Sequence, residues 1–228
     1  VRAARRLGLR DSLALPARSK IQASGVISTP PGTFGKTTLY MQDAWGASRV
    51  VLPSGFHQKF STGDKVTFSA TVGTLQGKPI LRLQQGGPVA IQKGSEPLAA
   101  VKNIQDLDDE DSNTLIQVKG VLKELAWPQM TIDDQTGELA VAVSRTTGIS
   151  KRLLSKGDEV RIAGILRENG DSFTLAPRFE DDIVVSSSSL STGVTEIPAD
   201  NEDVTRFIQY FTVSMIVLAL AILTLVVR

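Results

Sequence analysis

The chain has 228 residues, with 25 Lys and Arg, 24 Asp and Glu, one His and no Cys. This length accommodates one or two domains, and a hydrophobic content of 41% is enough to form cores. The lack of Cys excludes disulfides, thiol nucleophiles and Cys-ligated metals, and the single His57 argues against His-rich metal sites and Ser–His–Asp catalysis. We therefore predict that the protein is not an enzyme, uses no cofactor and has no small-molecule substrate.

The net charge of +1 conceals a separation of charge along the chain. Residues 1–93 carry a net charge of +10, whereas the rest of the chain carries −9. Such asymmetry favours an anionic partner for the N-terminal half. The alternative is that two soluble domains simply differ in isoelectric point.

Residues 1–20 form a basic lead-in segment, which precedes a first domain at residues 21–93. In this domain apolar and polar residues alternate between Gly- and Pro-containing turns, which is typical of short strands. The stretch Gly55–Phe60 is predicted to form a helical turn between the third strand and the fourth. The predicted strands are Ile21–Ser28, Thr38–Gln42, Arg49–Leu52, Lys65–Val72 and Pro79–Leu83.

Residues 94–113 form an acidic linker with a net charge of −5. Its centre, Asp106–Asp111, is rich in carboxylates but lacks the Gly at position six and the spaced Glu of an EF-hand calcium loop. We therefore predict a solvated linker and no metal site. Its negative charge is expected to pair with the arginines of the lead-in segment, which are Arg2, Arg5, Arg6 and Arg10.

A second domain at residues 114–185 repeats the pattern of the first. Three landmarks recur in order at offsets of 95, 91 and 94 residues: I-Q-A-S-G-V as I-Q-V-K-G-V, L-Y-M-Q-D-A-W-G as M-T-I-D-D-Q-T-G, and G-D-K-V as G-D-E-V. This order indicates a tandem repeat, in which Ile149–Leu154 corresponds to the helical turn of the first copy. The predicted strands are Thr114–Leu122, Met130–Asp133, Leu139–Ser144, Glu159–Arg167 and Ser172–Leu175.

The end of the chain differs in composition from both domains. Residues 186–206 are rich in Ser and then in acidic residues, which is typical of a flexible stalk. Residues 207–227 contain no charged side chain, and a helix of that length spans roughly 30 Å, the thickness of a bilayer's hydrocarbon core. Because a core helix of a small domain normally keeps a polar face, we predict a single transmembrane α-helix, with the membrane as a partner.

The orientation of this helix is predicted from few charges, because Arg206 and Arg228 lie on opposite sides of it. Since the chain begins with Val1 and not with Met, we expect an upstream segment, such as a signal peptide, outside this sequence. We therefore favour a single-pass protein with extracytoplasmic domains. The alternative is a tail-anchored protein with cytoplasmic domains.

Five strands with a connector after the third match the plan of an OB-fold barrel. The predicted fold class is therefore all-β, with two tandem five-stranded OB-fold barrels followed by a C-terminal transmembrane α-helix. The run G-V-I-S-T-P-P-G-T-F-G, followed by L-Y-M-Q-D-x-x-G and G-D-K-V, resembles the OB-fold domains of membrane-anchored bacterial envelope proteins, which often accompany lamin-tail-like domains. The resemblance covers residues 1–185 in outline. It implies a place in the cell envelope and a lead-in segment that packs on the first barrel.

OB-folds that bind nucleic acid use the outer faces of strands two and three and the loops between strands one and two and strands four and five. In the first copy, alternation turns Leu39 and Met41 inward and leaves Tyr40 outside. Aromatic rings stack on bases with about 1–3 kcal/mol each, and cations follow phosphates. We therefore predict nucleic-acid binding, with single strands favoured, by Phe34, Lys36, Tyr40, Arg49, Lys78 and Arg82.

The second copy lacks such a face, because its outward positions are Thr131, Asp133, Ala140 and Ala142. Trp127 is the aromatic residue of its first loop, with Lys123 nearby, and we interpret this copy as a spacer or a protein-contact module. For the whole protein, the alternative is a protein-interaction or structural subunit of a membrane or envelope assembly. Tyr is common on any half-exposed strand, and the OB-fold alone does not specify a function.

Overall fold

The structure, a computed structural model, describes residues 7–151, 154–170 and 172–186. Within these ranges the chain is all-β apart from one short helix and several 3₁₀ turns, and both barrels belong to a single compact unit. No helix in this part of the chain is long and apolar enough to cross a membrane. The predicted transmembrane helix at residues 207–227, and the predicted stalk beyond residue 186, lie outside the described residues.

The first barrel closes through five strands in the order β1-β2-β3-β5-β4, with β4 pairing back onto β1. Strands β3 and β5 are parallel and the other neighbours are antiparallel, which is the topology of an OB-fold. A sixth strand, absent from the sequence prediction, pairs with the outer edge of β4. The elements are α1 (Leu9–Leu13), β1 (Lys20–Thr29), β2 (Thr38–Gln42), β3 (Ala47–Val51), β4 (Lys65–Leu75), β5 (Lys78–Leu83) and β6 (Val89–Gln92).

The second barrel repeats this topology with the order β8-β9-β10-β12-β11, closed by the pairing of β11 with β8. Again β10 and β12 are parallel, and an added strand, β13, pairs with β11. The all-β fold with two tandem five-stranded barrels is therefore confirmed. The strands are β7 (Ala100–Val101), β8 (Leu115–Ala126), β9 (Gln129–Asp133), β10 (Glu138–Ala142), β11 (Glu159–Asn169), β12 (Ser172–Ala176) and β13 (Ile183–Ser186).

The connectors after β3 and β10 help to fill the barrels. Between β3 and β4, Phe56 and Phe60 stack with ring centres 5.4 Å apart, and Phe60 is part of the first core. The stretch Gly55–Phe60 contains no helical turn, so that prediction was wrong; stacked aromatic rings fill this place instead. In the second barrel Ile149 and Leu154 pack into the core, while residues 152–153 lie outside the described residues.

The repeated D-x-x-G motif performs the same structural task in both barrels. In the first, Asp43 accepts hydrogen bonds from the N–H of Trp45 (2.8 Å) and Gly46 (3.0 Å), which form the turn between β2 and β3. Its other oxygen accepts the N–H of Leu9 at the start of α1, at 2.8 Å. The carboxylate therefore ties the lead-in segment to the barrel.

Asp134 does the same for the segment that leads into the second barrel. It accepts the N–H of Thr136 (2.8 Å) and Gly137 (3.1 Å), and its other oxygen accepts the N–H of Ile104 at 2.7 Å. Ile104 begins a 3₁₀ turn in the interval 94–113, which also contains β7 and a second 3₁₀ turn. The predicted linker thus includes ordered elements that pack on the second barrel.

Asp134 should make the stability of the protein depend on pH. Burial opposes ionisation, but the Thr136 hydroxyl and three backbone N–H groups outweigh it and hold the pKa of Asp134 below its ordinary value. Because this pKa is lower in the folded state than in the unfolded state, ionised Asp134 stabilises the fold fully at neutral pH. This contribution begins to fall below about pH 4 and is lost as the pH drops through the folded-state pKa.

We expect Asp134→Asn to lower the free energy of unfolding by about 1 kcal/mol at pH 7 and by less at acid pH. Urea unfolding of the variant and the wild type at both pH values tests this. The exposed Asp109→Asn is the control. If the difference in stability between Asp134→Asn and the wild type does not become smaller at acid pH, ionised Asp134 is not the source of the stabilisation.

Gly120 in β8 sits where the backbone of β9 approaches most closely. A Cβ atom at this position would lie 2.6 Å from the carbonyl oxygen of Asp133, so a side chain requires the two strands to move apart. We expect Gly120→Ala to cost about 1–3 kcal/mol of stability. Thermal unfolding measures the effect, with the exposed neighbour Lys119→Ala as the control. Equal stability of the two variants would show that β8 and β9 accommodate a Cβ atom at this position without moving apart.

Candidate functional site

The second barrel covers part of the surface that was predicted to bind nucleic acid. Tyr40 on β2 points out of the first barrel, as alternation predicts, but only 3% of it is exposed. Leu115 and Ile165 of the second barrel pack against it. The Gln42 side chain next to it accepts the N–H of Leu115 at 3.2 Å. The ring of Tyr40 is therefore not accessible for stacking on a base, which corrects the prediction for this residue.

A buried arginine also joins the two barrels. Arg178, which follows β12 and is 3% exposed, donates from Nη1 to the carbonyl oxygen of Ser28 in β1 at 2.7 Å. Its Nε and Nη2 donate to both oxygens of Asp182 at 2.9 and 2.7 Å, and Nη2 lies 2.8 Å from Glu96. Burial opposes the charge, but the two carboxylates outweigh it and raise the pKa of Arg178. Arg178 thus fixes the second barrel against the first.

A cleft of about 210 Å³ lies between the barrels. The first barrel contributes Phe34, from the loop between β1 and β2, and Arg49, which pairs with Tyr40 across β2 and β3. The second barrel contributes Arg167 and Glu168, near the end of β11. The site is therefore composite, since neither barrel supplies its walls alone. We call it the inter-barrel cleft.

Arg167 is the central side chain of the inter-barrel cleft. Its guanidinium carbon lies 3.9 Å from the centre of the Phe34 ring and 5.5 Å from that of Tyr40, and the two rings meet edge to face at 5.9 Å. These are cation–π distances. Nε and Nη2 of Arg167 are buried and have no hydrogen-bond partner. The position of the guanidinium is thus set by the rings, and these two donors are unsatisfied.

The charge of Arg167 is also uncompensated. Burial lowers the pKa of its guanidinium; the Tyr40 side chain favours the charged form and Arg49 disfavours it. Arg49 itself has a buried Nε without a partner. Among the described residues that line the cleft, Glu168 is the only carboxylate, and it is paired with Lys78. Two guanidinium groups therefore face the cleft without an anion, which makes it a candidate anion-binding site.

The structure brings some of the predicted site residues together and separates others. Phe34, Arg49 and Lys78 line the cleft, as does the buried Tyr40. Lys36 and Arg82 are exposed and do not line it; Arg82 donates to the carbonyl oxygen of Thr74 at 3.1 Å. These two therefore belong to the basic surface of the first barrel and not to the cleft.

Sequence reasoning missed Arg167 because it belongs to the copy without an outward aromatic face. The positions predicted to face outward there do so: Thr131, Asp133 and Ala142 are partly exposed and Ala140 is exposed. The alternation of β11 nevertheless indicates that its outer face is covered, because Ile165 is an apolar residue at an outward position. An apolar residue there indicates a covered surface, and Arg167 follows it on the same face.

The acidic cluster Asp106–Asp111 uses its carboxylates within the protein. Asp108 accepts the N–H of Glu110 at 2.8 Å, and Asp111 pairs with Lys102 at 3.0 Å. Arg10 pairs with Glu110 at 2.8 Å, which confirms the predicted contact of lead-in and linker for this arginine; Arg2, Arg5 and Arg6 lie outside the described residues. Among the residues that the structure describes, no three His, Cys, Asp or Glu side chains are grouped to hold a metal.

No protein-family model matches the sequence, and no curated protein matches it. The solved structures to which it is similar have low sequence identity and low TM-scores. Fission yeast Pot1, solved with ssDNA, is 9% identical over 89% of this chain and 93% of its own, with a TM-score of 0.43. A murine DNA-binding protein bound to dsDNA is 12% identical over 68% of this chain and 90% of its own, with a TM-score of 0.37. At these values the likeness says nothing about what this chain binds.

Proposed function

We propose that the protein binds single-stranded nucleic acid at the inter-barrel cleft. The observation that carries this proposal is the pair of half-buried guanidinium groups, Arg49 and Arg167, in which Nε of Arg49 and Nε and Nη2 of Arg167 meet no acceptor among the described residues. A buried unsatisfied polar group costs about 1–3 kcal/mol, and more when it is charged. An anionic ligand that supplies the missing acceptors would explain why the fold retains two such groups side by side.

The surroundings of the cleft favour nucleic acid among anionic ligands. Residues 1–93 carry a net charge of +10, and the exposed Lys36 and Arg82 extend the basic surface beyond the cleft. Phe34 is only partly buried, so part of its ring is accessible to a base. A single strand can place one phosphate inside a narrow cleft because its backbone bends. A duplex holds its phosphates on a stiff rod that cannot enter.

Fluorescence anisotropy of the full chain in detergent tests the proposal, with a labelled single strand of about fifteen nucleotides and the matching duplex. We expect the single strand to bind more tightly, and its affinity to fall as salt rises from about 50 to 200 mM. Arg49→Gln should weaken binding at least about tenfold. Arg161→Gln, an exposed arginine on β11 outside the cleft, should leave it nearly unchanged.

Flat anisotropy at low salt for both nucleic acids would overturn this proposal. The protein-interaction alternative would then be supported by two exposed apolar side chains, Leu98 just before the short strand β7 (91% exposed) and Val101 within it (73% exposed). That the protein is not an enzyme stays a prediction.

We also propose that residues 207–227 anchor the protein in a membrane, with the barrels on the extracytoplasmic side. The support is the run of 21 residues without a charged side chain. We expect the full chain to stay in the membrane fraction at alkaline pH and a chain ending at residue 206 to be released. Added protease should digest the barrels in intact spheroplasts. Release of the full chain by alkaline extraction would contradict the anchor, and protection from protease would contradict the orientation.

A further inference from the structure

We propose that the inter-barrel cleft takes a phosphate monoester, the dianionic group found at the end of a nucleic acid strand or on a free mononucleotide, in preference to the phosphodiester of a strand interior. This inference rests on the proposed function, because it names the part of the nucleic acid that the cleft holds. Three properties of the cleft lead to it: its charge, the arrangement of its donors and its size.

The charge of the cleft matches a dianion. Lys78 and Glu168 form an ion pair and compensate each other. Arg49 and Arg167 remain as two uncompensated positive charges, close enough that Arg49 disfavours the charged form of Arg167. A phosphodiester carries one negative charge, whereas a phosphate monoester carries about 1.5 to 2 at pH 7. Only the monoester neutralises both arginines.

The free donors match three acceptor oxygens. Nε and Nη2 of Arg167 lie on the same edge of its guanidinium, and that edge binds two oxygens of one phosphate side by side. The unpartnered Nε of Arg49 is a third donor, for a third oxygen. A monoester has three terminal oxygens, whereas a diester has two, since its other oxygens bridge to carbon. A diester would therefore leave one of these donors unsatisfied.

The size of the cleft and the packing of Arg167 support an end group. A volume of about 210 Å³ lies below the range of about 300–1,000 Å³ that is usual for pockets enclosing a whole small molecule. The cleft therefore encloses a phosphate and leaves the attached nucleoside near its mouth. Phe34 packs on one face of the Arg167 guanidinium at 3.9 Å. Because the side chain is already held, little conformational freedom is lost on binding.

The experiment compares one DNA single strand in three forms: with a 5′ phosphate, with a 3′ phosphate and with neither, each labelled at the opposite end or internally. The full chain in detergent is titrated with each form. We expect one terminal phosphate to tighten binding at least about tenfold over the unphosphorylated strand. Arg167→Lys should abolish this preference, because lysine keeps the charge but lacks the two-donor edge. Arg161→Gln, an exposed arginine outside the cleft, should preserve it.

Competition with adenosine monophosphate and with adenosine distinguishes the two sources of the monoester. Displacement of the phosphorylated strand by the monophosphate and not by adenosine would assign the cleft to free nucleotides as well as to strand ends. If neither compound displaces the phosphorylated strand and the preference for a terminal phosphate remains, the cleft is assigned to strand ends alone.

Equal affinity for all three strands, together with weaker binding by Arg167→Gln, would overturn this inference and leave the proposed function in place. Binding of the monophosphate in equilibrium dialysis without binding of any strand would overturn the proposed function instead. If neither the strands nor the monophosphate bind, both are overturned.

Discussion

Replacing Arg178 by methionine is expected to lower the free energy of unfolding by about 3–5 kcal/mol, the cost of removing one partner of a buried ion pair. Asp182 is 8% exposed and would lose the guanidinium that now binds both of its oxygens. The carbonyl oxygen of Ser28 would lose its donor as well. Methionine fills much of the vacated volume, so the loss reports the charge and the hydrogen bonds more than a cavity.

Urea unfolding followed by circular dichroism measures this loss. Arg161→Met, at an exposed position, is the control and should change stability by less than about 0.5 kcal/mol. The stability of Arg178→Lys should lie between that of the wild type and that of Arg178→Met, because lysine keeps the positive charge but lacks the several N–H donors of the guanidinium. A loss below about 1 kcal/mol for Arg178→Met would show that the barrels hold together without this contact.

Replacing Arg167 by methionine is expected to change binding and stability in opposite directions. Affinity for a single strand should fall at least about tenfold, because the cleft loses its central donors. Stability should rise by about 1 kcal/mol, since removing an unpaired charge beside Arg49 relieves a cost that the folded state otherwise carries. Methionine retains contact with the Phe34 ring through its sulfur.

Anisotropy and urea unfolding on the same preparation of Arg167→Met test this pair of effects. The control is Arg161→Met, which removes an exposed arginine of the second barrel outside the cleft and should move neither quantity far. Loss of both stability and affinity would show that Arg167 is a structural residue whose removal disturbs the barrels. Retained affinity would exclude it from the site.

Much of the fold could be predicted because its determinants are local. The G-D-x-V motif is an example: Asp64 accepts the N–H of Ser61 at 2.8 Å, and Asp158 accepts that of Ser155 at 2.7 Å. A turn closed by a side chain three residues away leaves its signature in the sequence. The helical turn predicted at Gly55–Phe60 failed because nothing local specifies that segment; its two phenylalanines are placed by the core.

The site could be predicted only in part, because alternation assigns a side chain to one face of its own sheet and says nothing about what covers that face. Tyr40 does point out of the first barrel, yet Leu115 and Ile165 bury it. Arg167 reaches Phe34 only because the second barrel packs where it does. Contacts of this kind depend on tertiary packing, which a period of two along a strand does not encode.

The composite cleft makes the two copies of the repeat unequal and mutually dependent. By the offsets of the repeat, Ala140 takes the place of Arg49 in the second copy, and Gly73 takes the place of Arg167 in the first. A chain of two identical first barrels, or of two identical second barrels, would keep the fold and lack one half of the site. Duplication supplied the scaffold, but function depends on how the copies have diverged. A single barrel grafted into another protein would keep its fold but would lack the inter-barrel cleft.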